Sequence, residues 1–209
     1  CRSLIASSYG IYERYVLKNI DGLIFPCLKN GVHPFAGQCR HVATVNNVPV
    51  LAETYDCYDP AVKKETGSIC HVGSLTYTRG ITHLVKAAAQ ADCTLYLGGA
   101  FSPAAYQDEV LSLPEAAHTR YMGVLNRAQV MQLLQKSQIG MATILNVGQY
   151  NQYDNLATKV YEYMALGIPV ILSRSSYNEK VTAQYDFGIC VDPANVDEIA
   201  DAIRYLLDH

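Results

Sequence analysis

Four charged residues pose the chemical question in this chain: Arg79, Asp154, Lys159 and Glu162. Three of them crowd one stretch, Asp154-Asn155-Leu156-Ala157-Thr158-Lys159-Val160-Tyr161-Glu162-Tyr163-Met164-Ala165-Leu166-Gly167-Ile168-Pro169-Val170-Ile171. It reads as a polar loop, a short helix, a glycine stop and a buried strand. Asn155 can cap the turn that follows it, and Val160, Tyr161, Met164 and Ala165 share an apolar helical stripe. Gly167 suits the left-handed conformation that ends a helix, and Ile168-Pro169 forces an extended exit. The helix N-terminus then lies between Asp154 and Glu162, with its unpaired N–H groups outward and Lys159 in its first turn. Such a mouth suits an anion, for example a diphosphate. Each residue alone has a plainer reading, an early-helix glutamate or a solvated lysine. Their combination is what points to a site.

Arg79 closes a second loop, Gly73-Ser74-Leu75-Thr76-Tyr77-Thr78-Arg79-Gly80. Its glycines allow close backbone approach, and its small polar residues offer donors. A cation at the start of the following helix is opposed by the helix dipole by roughly 0.3–1 kcal/mol. An anionic ligand at that mouth reverses the sign of that cost. With Arg79, Lys159 and two sets of helix N–H groups converging on a diphosphate, Glu162 could accept paired hydrogen bonds from the two hydroxyls of a ribose.

The elements that must position these residues follow a regular pattern from Ser68 onward. Apolar strands are expected at residues 69–72, 93–97, 120–122, 139–144, 170–172 and 189–191, with helices at 81–91, 105–113, 128–136, 158–166, 179–185 and 196–207. The alternation implies an α/β fold, a Rossmann-like parallel sheet with helices on both faces. Ligands in such folds collect at the carboxyl ends of the strands. By strand order the Arg79 and Lys159 loops can face one cleft, and Gly98-Gly99 and Gly123-Val124-Leu125-Asn126 line the same edge. The loop beginning at Gly123 could hold a nucleobase through backbone groups, or it is a plain strand–helix turn. Residues 1–52 read as the tail end of an incomplete N-terminal α/β domain, 53–67 as a polar linker, and 68–209 as the nucleotide-binding domain. Cys1 is not a natural translation start, so a longer parent is expected.

Composition narrows the function classes. Sixteen basic and nineteen acidic residues give a net charge of -3, which argues against a general nucleic-acid surface. No apolar run reaches the roughly 18 residues of a membrane span. Seven scattered cysteines without a C-x-x-C pair suggest reduced thiols, a cytoplasmic setting and no metal site. There is no P-loop lysine motif, no G-x-G-x-x-G with an acidic ribose ligand, and no G-x-S-x-G elbow.

Three motifs in order resemble the retaining glycosyltransferases of the GT-B fold, especially the group-1 (family 4) set. Val72-Gly73-Ser74-Leu75 with Arg79-Gly80-Ile81 and Leu84-Val85 looks like the first strand and phosphate loop of that family's C-terminal domain. Tyr96-Leu97-Gly98-Gly99 and Tyr121-Met122-Gly123 match its middle strands, and Asp154 with Glu162 matches its paired-acid motif. The resemblance implies a UDP- or GDP-sugar donor, a glycan or lipid-linked acceptor, no metal and no further cofactor. Glu162 would bind the ribose, Asp154 would sit near the donor sugar, and Arg79 would hold the diphosphate. Gly73, Ser74, Gly123, Asn155, Thr158 and Lys159 would complete the donor site. Asp154 stands where glutamate is usual, Ser74 where many members have arginine, and Ala157 where proline is common. The acceptor half would lie in a missing N-terminal domain, so the chain alone is expected to be inactive. The parent would work in the cytoplasm or at the inner face of a membrane, building a cell-surface polysaccharide or glycolipid. A non-catalytic nucleotide-sugar module and a GT-B epimerase or phosphorylase are the competing expectations.

Overall fold

The computed structural model describes residues 2–148 and 150–209. The chain divides into two compact units, one running to Asn47 and including Gln152–Asn155, the other formed by Val48–Asn151 and Leu156–His209.

In the first unit, helix α1 (Arg2–Asn19) precedes two short strands, β1 (Leu23–Phe25) and β2 (Val42–Thr44), which pair in parallel with Leu23 opposite Val42. Phe25 gathers Phe35 and Tyr153 around it, with ring centroids 5.3 and 5.6 Å away. The returning segment is pinned by Asp154, whose N–H donates to the Leu28 carbonyl at 2.8 Å. Its Oδ2 accepts the Gly31 N–H at 2.5 Å, in a turn where Asn30 and Gly31 both have positive φ.

The second unit contains α2 (Leu51–Asp56), β3 (Ser68–Val72), α3 (Ile81–Gln90), β4 (Thr94–Gly98), α4 (Ala105–Leu111), β5 (Thr119–Tyr121) and α5 (Arg127–Lys136). It continues with β6 (Ile139–Ala142), α6 (Thr158–Ala165), β7 (Val170–Ser173), α7 (Ser176–Tyr185), β8 (Gly188–Val191) and α8 (Val196–Asp208). The six strands form one parallel sheet in the order β5-β4-β3-β6-β7-β8. All six strands and six helices expected from Ser68 onward are present, with ends shifted by a few residues. The order reverses between β3 and β6, and at such a switch point the loops leaving the two strands diverge and open a crevice.

Strand alternation feeds two cores, one on each face. Ile69, Leu95, Leu97, Ile139, Met141 and Ile171 pack with α3, α4 and α8, through Leu84, Val110 and Ile203. Cys70, Tyr96, Ala142, Val170 and Leu172 pack with α5 and α6, through Met131, Leu134, Val160 and Tyr163. Period-2 side chains that are apolar on both faces are what a doubly covered parallel sheet requires.

The polar stretch expected to be a linker is more structured than its composition suggests. It begins inside α2, whose Thr54 is fully buried. Its polar groups then bind other parts of the same unit. Asp59 N–H donates to Gln135 Oε1 at 2.6 Å, Lys64 Nζ to the Ser137 carbonyl at 2.8 Å, and Tyr96 Oη to the Glu65 carboxylate at 2.7 Å. Polarity here satisfies hydrogen bonds instead of signalling a free segment. Among the described residues no helix is long and apolar enough to cross a membrane.

Candidate functional site

The loops at the carboxyl edge of the sheet are laced together by backbone hydrogen bonds. Gly73 N–H donates to the Gly98 carbonyl at 2.8 Å, Leu75 to Ala100 at 3.0 Å, Gly99 to Gly123 at 2.8 Å, and Leu145 to Thr78 at 2.9 Å. The closest approach is at Gly99, with φ 141°, where an added Cβ would lie 1.8 Å from the Gly73 carbonyl oxygen. Gly123 therefore belongs to a turn whose carbonyl serves this lacing. The residues after it form a capping box, with Asn126 Oδ1 accepting from Gln129 N at 3.0 Å and Gln129 Oε1 from Asn126 N at 2.9 Å. These bonds give the loop the form of a strand–helix turn.

Arg79 ends a short 3-10 turn, Tyr77–Arg79, ahead of α3, and Gly80 takes the left-handed conformation at the join, φ 66°. Its guanidinium lies 5.2 Å from the centroid of the Tyr150 ring. Lys159, the second residue of α6, reaches across from the other side of the switch point. An added Cβ on Gly73 would be 3.3 Å from its Nζ, so glycine leaves the space that the ammonium occupies. Ser74 is exposed at the same mouth, and Thr158 opens α6 half-buried.

Lys159 is held by a residue that is not among the expected site residues. His71 is fully buried on β3, with Nδ1 3.2 Å from the Met141 carbonyl and Nε2 3.2 Å from Lys159 Nζ. A carbonyl only accepts, so Nδ1 carries the proton and Nε2 receives the lysine N–H. Burial, with the Lys159 and Arg79 charges, holds His71 well below its ordinary 6.5, so the ring is neutral. Burial and then the Arg79 charge lower Lys159 from 10.5 to about 7, against the raising influence of Cys70 and Glu162. The Arg79 charge is thus near enough to Lys159 to disfavour its ammonium form. His71 had no legible motif; only the pairing of β3 with β6 and the reach of Lys159 identify it.

Glu162 lies on the same side of α6, one turn on. Its Oε1 accepts from Arg127 Nη1 at 2.5 Å, and its side chain is 16% exposed against 39% for Arg127. Arg127 is the first residue of α5 and was not among the expected site residues. A basic residue directly after a helix cap, where the dipole opposes it, was the signal that could have found it.

The structure corrects two details of the α6 region. Asn155 does not cap α6: the cap position is Ala157, which makes no side-chain cap bond, while Asn155 is exposed and belongs with Asp154 to the first unit. The buried face of α6 centres on Tyr163, outside the expected stripe. Its ring fills the space left by Gly140 on β6, where an added Cβ would lie 2.5 Å from the ring, and its Oη donates to the Cys70 carbonyl at 3.3 Å. A side-chain-free position on the sheet admits an aromatic ring that helical periodicity alone does not place. Among the described residues no group of three or more His, Cys, Asp or Glu is placed to hold a metal ion.

The glycine-lined mouth beside Lys159 thus lies at the switch point of a doubly wound α/β sheet, where ligands of such folds collect. Residues 59–209 match the family described as glycosyl transferases group 1, and the chain belongs to that family. No curated protein matches the chain in sequence. Among solved structures it is similar to a variant of S. aureus TarM in complex with fondaparinux, alpha-GlcNAc-glycerol and UDP, with TM-score 0.68, 15% identity, and 94% of this chain and 39% of that one covered. WaaG, a glycosyltransferase involved in lipopolysaccharide biosynthesis, gives TM-score 0.68 at 13% identity, covering 96% and 58%. Anabaena HepE in complex with UDP and glucose gives 0.64 at 15%, covering 80% and 47%. These likenesses are of fold, and the second unit has the Rossmann-like architecture of a GT-B glycosyltransferase domain. The chain spans about half the length of these structures.

Proposed function

We propose that the chain is the donor-binding part of a retaining glycosyltransferase that takes a sugar from a nucleoside-diphosphate donor to a glycan or lipid-linked acceptor. The observation that carries this is Lys159, which reaches across the switch point to the space beside Gly73 and lies within electrostatic range of Arg79. The diphosphate would lie between these cations and the first N–H groups of α6, which stabilise the charge developing on the leaving group without a metal. Glu162, one turn along α6, would take the ribose hydroxyls. Asp154, aligned with the first acid of the family pattern, is proposed to act on the donor sugar in the transfer step. UDP bound to TarM and HepE supports a uridine donor, and WaaG's part in lipopolysaccharide biosynthesis supports a cell-surface glycolipid or polysaccharide acceptor. That chemistry suits the cytoplasm or the inner face of a membrane.

Calorimetric titration with UDP and GDP tests the site. Micromolar-range binding is expected, with a loss of about tenfold or more in Glu162→Ala, since a hydrogen bond to a charged group contributes about 1.5–3 kcal/mol. Binding that survives this change unaltered would sink the ribose assignment. The Gly31 N–H already held by the Asp154 carboxylate favours a second reading, a non-catalytic nucleotide-sugar module. Sugar transfer or donor hydrolysis by the full-length parent, absent in Asp154→Asn, decides against it.

A further inference from the structure

The proposed donor site leaves Arg127 unexplained. It occupies the first helical position of α5, held there by the Asn126–Gln129 capping box. A cation is disfavoured at that end of a helix. The guanidinium turns away from its own helix and joins two others. Nη1 donates to Glu162 Oε1 on α6 at 2.5 Å, and Nη2 points to Thr54 Oγ1 on α2 at 3.4 Å, where Thr54 is fully buried. The planar fork of arginine fixes the direction of both contacts at once.

The contact leaves acceptor capacity. An ionised carboxylate offers about four lone-pair sites, and Arg127 uses one of them, on Oε1. No other hydrogen bond to the Glu162 carboxylate is formed among the described residues. The carboxylate is thus clamped at Oε1 and keeps lone pairs with which it can accept from a pair of hydroxyls. Lys159, three residues earlier on α6, is gripped in a comparable way by His71. Each charged side chain of the α6 mouth is steadied from a different element.

We propose that Arg127 is a positioning residue for nucleotide recognition: it fixes the Glu162 carboxylate so that the site discriminates a ribose from a deoxyribose. This rests on the reading of Glu162 as the ribose acceptor. Arg127 touches neither phosphate nor base in this role, so its removal should weaken the response to the sugar hydroxyls alone.

The test is calorimetry on the whole chain with UDP, 2'-deoxy-UDP and inorganic pyrophosphate, comparing wild type with R127M, R127K, T54V and E162A. Wild type is expected to prefer UDP to 2'-deoxy-UDP by about tenfold or more. R127M should bring that ratio close to one, as E162A does, while pyrophosphate affinity stays within about twofold; R127K should restore part of the ratio. T54V removes the anchor of Arg127 without changing charge and should lower the ratio by a smaller factor, and it serves as the deciding variant if R127M does not fold. A ratio lost in E162A but kept in R127M, or in T54V where that variant decides, overturns the positioning role and leaves the donor site standing. An equal fall in pyrophosphate affinity in R127M overturns it too, because Arg127 would then act as a phosphate ligand. Wild type binding neither UDP nor pyrophosphate overturns the donor-site reading and this inference with it.

Discussion

At the residue scale, Lys159 links binding to pH. Burial, then Arg79, lowers it to about 7, and the groups facing it are His71 and Cys70 from β3, Arg79 from the 3-10 turn and Glu162 from its own helix. Cys70, pushed up to about 11 by burial, stays a thiol in the relevant range. Between pH 7 and the ordinary 10.5 of lysine, the ligand-free folded chain sheds a proton that the unfolded chain keeps. The unfolded state binds more protons there, so this group makes folding stability rise with pH across that window. Binding a diphosphate works the other way, because the ligand favours the ammonium. UDP affinity should fall as pH rises from 7 to 9, with a slope approaching about one decade per pH unit. Lys159→Met should bind more weakly and show a nearly flat profile, measured by calorimetry at pH 7, 8 and 9. A wild-type affinity independent of pH would mean that Lys159 does not change protonation when the anion binds.

At the scale of elements, α6 is the piece that must be placed, and Tyr163 on Gly140 places it. The ring packs flat on β6 because nothing projects from the strand at that point. Gly140→Ala should force the ring outward and move Lys159 and Glu162 with the helix. Overpacking of this kind costs about 1–3 kcal/mol, read as a lower urea midpoint at unchanged m-value. UDP affinity should fall in the same variant, although the substitution touches no ligand-facing group. An unchanged midpoint would show that α6 has slack on the sheet. Legibility also varies by element. The six strands and six helices after Ser68 follow from local periodicity, since each buries an apolar stripe. Tyr163 and α2 do not, since a missing side chain on a neighbouring strand and a buried threonine leave no periodic mark.

At the scale of the molecule, the parallel sheet closes two cores and brings the β3 and β6 loops together at the point where strand order reverses. Arg79, Lys159, Glu162 and Arg127 all belong to the second unit. A ligand bound there stabilises that unit by mass action. UDP at a hundred times its Kd should raise unfolding stability by about 2.7 kcal/mol, seen as a shifted thermal or urea midpoint. At the same UDP concentration the shift should fall to about 1.4 kcal/mol or less in Glu162→Ala, as a tenfold or greater loss of affinity requires. A midpoint that ignores UDP while calorimetry shows binding would place the ligand outside this cooperative unit.

The chain's own residues determined the class of fold, the order of its strands and helices, and the stretch that bears the acids and the lysine. Hydrophobic periodicity is local, and a motif is a local pattern, so both are legible in one dimension. Tertiary structure decided the partners: His71 beneath Lys159, Arg127 against Glu162, Gly140 under Tyr163, and Asp154 tied to Gly31. Each joins residues far apart in sequence through a single contact, and no repeating pattern records a single contact. The charges of Lys159 and Glu162 on α6 are thus held from β3 and α5 by residues that only the fold brings near.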